Sequence, residues 1–154
     1  MIESTDHAKK IKKNVIKIFR RSCKLKETYN ECQYYMSHSE LKLFYEESFF
    51  SANTLCNCLD EYVRTWGWTT SLISKFHNAA YITKLTGQLF FTDDEFKLLF
   101  TKALFLEEKN FEILKSLDKD SIPEEIKEML VSELVAQEKR IKTLKSILKN
   151  HYQK

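Results

Sequence analysis

Glu107, Gln137, Ser22 and Ser51 are the residues of this chain whose types and positions could do chemistry inside a folded core. Each falls near the middle of a long apolar repeat with three-and-four spacing, the mark of one buried helix face. The four repeats run Ile11, Val15, Ile18, Ser22, Leu25, Tyr29, Cys32, Met36; Leu41, Phe44, Ser48, Ser51, Leu55, Leu59, Tyr62, Trp66; Phe96, Leu99, Ala103, Leu106, Asn110, Ile113, Leu117; and Ile126, Leu130, Leu134, Gln137, Ile141, Leu144, Leu148. At about 100° per residue, Glu107 points along the axis defined by Phe96 and Leu114, so its carboxylate faces the core. A buried carboxylate is costly unless it meets a cation or several donors. Oxygen ligands from several helices suit iron or manganese, and the middle of a helical bundle is where such sites are built. The same residues also admit a structural reading. A polar layer fixes register, with the amide and hydroxyls satisfying the carboxylate or a trapped water.

A di-iron centre takes about six ligands, including a Glu-x-x-His pair from each of two helices. No Glu-x-x-His occurs here, and His7, His38, His77 and His151 stand at helix ends or in a connection. The chain also lacks a glycine-rich phosphate loop, a nucleophile elbow and a paired Cys/His zinc motif. No nucleophile with a positioned base is visible, so a binding or structural role without a cofactor is expected rather than an enzymatic one. Iron or manganese held by mid-bundle carboxylates is the alternative.

The elements that must position these residues are helices. With 154 residues, only 2 Gly and 1 Pro, the chain has little material for tight turns or sheet corners. One all-α domain over 1–154 is the expectation. The 11 Phe and 7 Tyr predict a ring-rich core. The repeats predict helices at about 6–36, 39–66, 93–117 and 123–152. Ser37-His38-Ser39-Glu40 and Thr92-Asp93-Asp94-Glu95 read as capping boxes opening the second and third. Ser121-Ile122-Pro123-Glu124 opens the fourth, with Pro123 in its first turn. Gly67, between Trp66 and Trp68, closes the second helix. The stretch 67–91 is too long for a turn, and Leu72, Ile73, Phe76, Ala79, Ala80 and Leu85 give it a short amphipathic pattern that stops at Thr86-Gly87. A hairpin, a long, partly helical crossover and a second hairpin make a ferritin-like four-helix bundle; an up-down bundle with a side helix fits the same pattern.

Charge is segregated along the chain. Lys9, Lys10, Lys12, Lys13, Lys17, Arg20, Arg21, Lys24 and Lys26 follow one another without an acid, whereas the second helix carries Glu40, Glu46, Glu47, Asp60 and Glu61 against Lys42 and Arg64. Complementary faces on adjacent helices explain this, and a basic face at Lys12, Lys13 and Lys17 for an anionic protein partner is the sharper reading. With Phe19 the only ring before Tyr29, nucleic acid is the lesser partner. No apolar run reaches the roughly 18 residues of a membrane span, and no signal peptide opens the chain, so a cytoplasmic protein is expected. Cys23, Cys32, Cys56 and Cys58 are then expected as reduced thiols. Cys56 and Cys58 point about 200° apart on a helix and cannot share a metal. Phe90 and Phe91 at the end of the crossover are candidates for a homodimer contact.

Three segments, Lys26-Glu27-Thr28-Tyr29, Glu40-Leu41-Lys42-Leu43-Phe44 and Ile122-Pro123-Glu124-Glu125-Ile126, together with Leu85-Thr86-Gly87, give residues 10–148 a resemblance to the uncharacterised bacterial ferritin-like four-helix-bundle domain family. The resemblance implies a ferritin-like fold with metal-ligand positions at Glu27, Glu47 and Glu107, to which Gln137 of the polar layer adds a fourth oxygen. Where that family tends to show Gln in the second helix and His in the fourth, this chain has Ser51 and Ile141. The resulting expectation is a ferritin-like bundle with a degenerate metal site.

Overall fold

The computed structural model of the chain describes residues 2–35, 39–65, 70–117 and 122–152. Among them every regular element is a helix: α1 (Ile2–Tyr35), α2 (Ser39–Arg64), α3 (Thr70–Phe91), α4 (Glu95–Ser116) and α5 (Glu124–Tyr152). None of them is long and apolar enough to cross a membrane. The expected positions Met36, Ser37, His38, Trp66, Gly67, Trp68 and Ser121, and the side chains of Leu72, Ile73 and Phe76, lie outside the described residues.

Two apolar clusters build the interior. One joins Ile11, Val15, Ile18 and Cys23 of α1 to Leu55, Leu59 and Val63 of α2, Leu114 of α4, and Ile126 and Leu130 of α5. The other joins Leu25, Tyr29 and Cys32 of α1 to Tyr45 and Ala52 of α2, Leu85 and Leu89 of α3, Leu99 to Leu106 of α4, and Leu144 and Ile147 of α5. The first cluster takes the N-terminal halves of α1 and α5 and the C-terminal halves of α2 and α4. So α1 and α5 point one way, and α2 and α4 the other. Since α2 ends at the first cluster and α4 starts at the second, the chain must travel the length of the bundle between them, and α3 does so.

Within the described residues the crossover is a single helix, as the partly helical expectation allows, beginning at Thr70. It runs through Thr86-Gly87, where the sequence pattern predicts a stop, to Phe91. Leu85 and Leu89, a turn apart on either side of Gly87, are both buried, and that packing outweighs the cost of glycine in a helix interior. Ala79 and Ala80, part of the predicted apolar face, are exposed. The buried stripe of α2 is also rotated from the predicted one: Tyr45 and Ala52 are buried, whereas Phe44 and Ser51 are partly exposed, because α2 meets α1, α3 and α5 together.

Helix starts follow the acidic residues. Asp94, not Thr92, caps α4: its side chain accepts from the Lys97 amide at 3.0 Å, while Thr92 Oγ1 accepts from the Asp94 amide at 3.3 Å. Asp is a slightly better N-cap than Thr, and its charge faces the positive helix end. Pro123 stands just before α5, its carbonyl accepting from the Lys127 amide at 3.0 Å.

The expectation of four thiols is corrected. Cys23 of α1 and Cys56 of α2 form a disulfide, with Cα atoms 5.7 Å apart, inside the first apolar cluster. Ser22 and Leu25 already orient that side of α1 inward, so Cys23 faces α2 where the hairpin brings Cys56 alongside. Cys32 is buried and Cys58 exposed, both unpaired, and burial pushes the Cys32 thiol well up.

Chain denatured without reductant should therefore release two titratable thiols, Cys32 and Cys58, and two more after reduction; four at the outset would sink the pairing. At Gly87 a Cβ would meet nothing within 4 Å. Gly87→Ala should raise unfolding stability by about 0.5–1 kcal/mol, read from denaturant midpoints.

Candidate functional site

Between the two apolar clusters lies a belt of buried polar side chains. Ser22, Glu107, Asn110, Glu133, Gln137 and Arg140 are all buried. Glu107 is placed by α4, whose Ala103 and Leu114 line the same inward face. Glu133, Gln137 and Arg140 occupy successive turns of one face of α5, in line with Leu130, Leu144 and Ile147.

Arg140 is the hub of this belt. Its Nε donates to Glu107 Oε1 at 2.7 Å and its Nη2 to Glu107 Oε2 at 3.3 Å, while Nη2 also donates to Glu133 Oε1. Its Nη1 donates to Ser51 Oγ at 3.2 Å, and Ser51 Oγ reaches Glu133 Oε2 at 3.5 Å. From α1, the Tyr29 hydroxyl donates to Glu107 Oε1 at 2.8 Å. Four helices thus meet on one guanidinium and two carboxylates. The Glu107 side chain is 1% exposed, and those of Arg140 and Glu133 are each 9% exposed. The planar guanidinium fork matches a carboxylate with two donors, and here it meets two carboxylates at once.

The electrostatics follow from burial. Burial, reinforced by the Glu107 charge, holds the Tyr29 phenol well above its ordinary value, so it stays a hydrogen-bond donor. Burial also raises the Glu133 carboxyl, with the Arg140 charge pulling it back down and Glu107 pushing it further up. Burial works against the Arg140 charge, but the two carboxylates outweigh it and keep the guanidinium firmly protonated. Two acids share one cation, and burial together with the neighbouring Glu107 charge holds the Glu133 carboxyl above its ordinary range.

The sequence-predicted residues divide accordingly. Glu107 and Ser51 are joined through Arg140. Ser22 is buried at the same level but its hydroxyl donates to the Ile18 carbonyl of its own helix at 2.7 Å. Gln137 is buried on the α5 face, and its amide, like that of Asn110, meets no hydrogen-bond partner among the described residues. Glu47 is exposed on α2. Glu27 is partly exposed and pairs with Lys26 at 3.8 Å. The structure brings neither Glu27 nor Glu47 to the belt. Lys12, Lys13 and Lys17 are exposed on α1.

Sequence reasoning missed Glu133 and Arg140. The predicted stripe of α5 ran through Leu134 and Leu148, which are half-buried, whereas the buried stripe takes Glu133 and Ile147. A signal was present: Glu133 and Arg140 lie four before and three after Gln137, the spacing of residues that share its face. No protein family, curated protein or solved structure was found that matches the chain.

The raised Glu133 sets a pH test. A carboxyl whose folded value lies above its unfolded one favours the fold below the ordinary carboxylate range, and that contribution is lost as pH rises through the raised value. Glu133→Gln keeps the shape without the charge. Its unfolding stability relative to wild type should therefore improve steadily from pH 4 toward neutrality in denaturant titrations at each pH. A flat difference would show that Glu133 carries no excess charge.

Proposed function

We propose that the protein is a ferritin-like helical bundle with a non-catalytic binding or structural role, in which Arg140 stands where a metal-binding bundle of this type would hold its cation. The observation that carries this reading is the guanidinium between Glu107 and Glu133, which engages both oxygens of Glu107. A carboxylate pair in mid-bundle needs a positive charge, and this chain carries one on its own side chain. The ferritin-like reading is supported by the parallel course of α2 and α4, linked end to end by α3. The resemblance-derived ligand set does not fit a shared metal, because Glu47 faces solvent and Glu27 pairs with Lys26.

A second reading keeps a metal. The amides of Asn110 and Gln137, which meet no partner among the described residues and lie one turn from Glu107 and Arg140 on the side of the first apolar cluster, favour it. Buried polar atoms of this kind are ordinarily satisfied by water or an ion. Iron or manganese held by Glu107 and Gln137 with solvent oxygens is that reading. An interaction module working through Lys12, Lys13 and Lys17 is a third. A homodimer is proposed on the exposed rings of Phe90 and Phe91, 82% and 85% exposed. Cytoplasmic placement is likewise a proposal, and the Cys23–Cys56 disulfide bears against it, since such bonds are rare in reducing compartments.

Elemental analysis for iron, manganese and zinc, before and after anaerobic Fe(II) loading, separates the first two readings. Wild type should hold no stoichiometric metal, and Arg140→Ala should lose about 3–5 kcal/mol of stability by leaving buried carboxylates without their cation. About two metals per chain in wild type, reduced by Glu107→Gln, would overturn the first reading and establish the second.

A further inference from the structure

Away from the belt, three ammonium groups from three helices converge on one surface cavity. Lys24 of α1, Lys84 of α3 and Lys102 of α4 line a volume of about 400 Å³ together with Tyr81, Thr101 and Phe105. No acidic residue lines it among the described residues. Its size falls in the range of small-molecule sites, roughly 300–1,000 Å³.

The floor of this cavity is fixed. The Thr28 hydroxyl donates to the Lys24 carbonyl at 2.8 Å, which uses its one hydrogen, so the Tyr81 hydroxyl donates to Thr28 across a 2.5 Å contact. That bond anchors α3 to α1 and locks the Tyr81 ring beneath the lysines. Lys24 Nζ lies 5.8 Å and Lys102 Nζ 6.0 Å from the ring centroid, within reach of a cation–π attraction. Glu27, whose charge reaches Tyr81, is itself paired with Lys26.

Gathering like charges here has a cost, and no acidic residue among the described ones lines the cavity to offset it. Burial lowers the Lys24 ammonium, with Arg21, Arg20 and Lys84 adding repulsion; burial likewise lowers Lys102, with Lys84 and Lys24 adding theirs. An anion in the cavity would relieve both effects. Lysine is a compact point donor suited to phosphate oxygens, and three ammoniums from separate backbones match a charge spread over several phosphates better than a single carboxylate. At the rim, the Phe105 ring is 60% exposed, with Lys109 Nζ 5.8 Å from its centroid, and offers an organic group its exposed area.

We propose that this cavity binds a small polyphosphate anion, its phosphates on Lys24, Lys84 and Lys102 and any attached base against Phe105. The site shares no residue with the mid-bundle belt and stands whether or not Arg140 replaces a metal. Two sources carry this chemistry, inorganic polyphosphate and a nucleoside triphosphate.

Calorimetric titration of the full chain with inorganic triphosphate and with ATP, at low ionic strength and without divalent metal, tests it. The expected result is one saturable site per chain that weakens with added salt. Lys84→Glu and Lys102→Glu should each lower affinity at least about tenfold, a change of about 1.4 kcal/mol, while Lys84→Arg retains binding. Circular dichroism of each variant confirms that the helices persist. Tighter binding of ATP, with the gain lost in Phe105→Ala, assigns the nucleotide; equal affinity for both ligands assigns inorganic polyphosphate. Absence of saturable binding to either ligand overturns the proposal. So does binding that survives both lysine reversals and disappears when Lys12, Lys13 and Lys17 are reversed to Glu, which would move the anion to the basic face of α1.

Discussion

A carboxylate with 1% of its side chain exposed is costly in the middle of a helical bundle unless a cation meets it, and Arg140 meets Glu107 at 2.7 Å. The desolvation of two such charges is of the same order as their attraction, so the pair contributes little net stability compared with apolar residues of the same size. Its effect is on arrangement. Glu107 on α4 can be satisfied only if α5 presents Arg140 at the same height, if α1 presents Tyr29 from the other side, and if α2 brings Ser51 within reach of the guanidinium. Any slip of one helix by a turn leaves at least one buried charge or hydroxyl alone. The register of four helices therefore hangs on a single guanidinium.

That constraint explains why the interior is two apolar clusters and not one. Above and below the belt, mainly aliphatic and aromatic side chains pack, and they supply the burial that drives folding. Tyr45 stacks on Phe100 at 5.4 Å on one side of the belt, while the Cys23–Cys56 disulfide ties α1 to α2 on the other. Each cluster alone would tolerate several registers, since apolar surfaces are weakly specific about their partners. The belt between them removes that freedom. A buried polar group that fixes register at some cost in stability is well attested in coiled coils, and the same logic applies here.

The helical architecture was legible in the sequence because it rests on apolar spacing and on the scarcity of glycine and proline. Every predicted seam position of α1 from Ile11 to Cys32 is buried. Legibility failed where a residue's type argued against its position. Glu133 and Arg140 are of types ordinarily found in solvent, and their burial is matched by the pairing of each with the other and of Arg140 with Glu107. Mutual satisfaction across helices leaves no trace in a one-helix periodicity. The disulfide was hidden for a related reason, since the pairing of Cys23 with Cys56 depends on how two helices are aligned and not on the spacing within either. Gly87 misled in the opposite direction, its local preference for a helix end being overridden by Leu85 and Leu89 on α3.

The molecule handles its two concentrations of charge in contrasting ways, and the contrast bears on where function resides. In the belt, one guanidinium serves two carboxylates away from solvent, so the bonding capacity of Arg140 and Glu107 is spent internally. At the Lys24, Lys84 and Lys102 cavity, like charges are held together on three helices by the same packing that seats α3 against α1, and no acid lines the cavity among the described residues. Charge of one sign that the fold assembles but does not neutralise retains free energy for an outside partner. The Tyr81 to Thr28 hydrogen bond is what couples the two regions, because Thr28 adjoins Tyr29 on α1 and Tyr29 holds Glu107. The belt sets the height of α1, and α1 in turn sets the geometry at which Lys24 meets the lysines of α3 and α4.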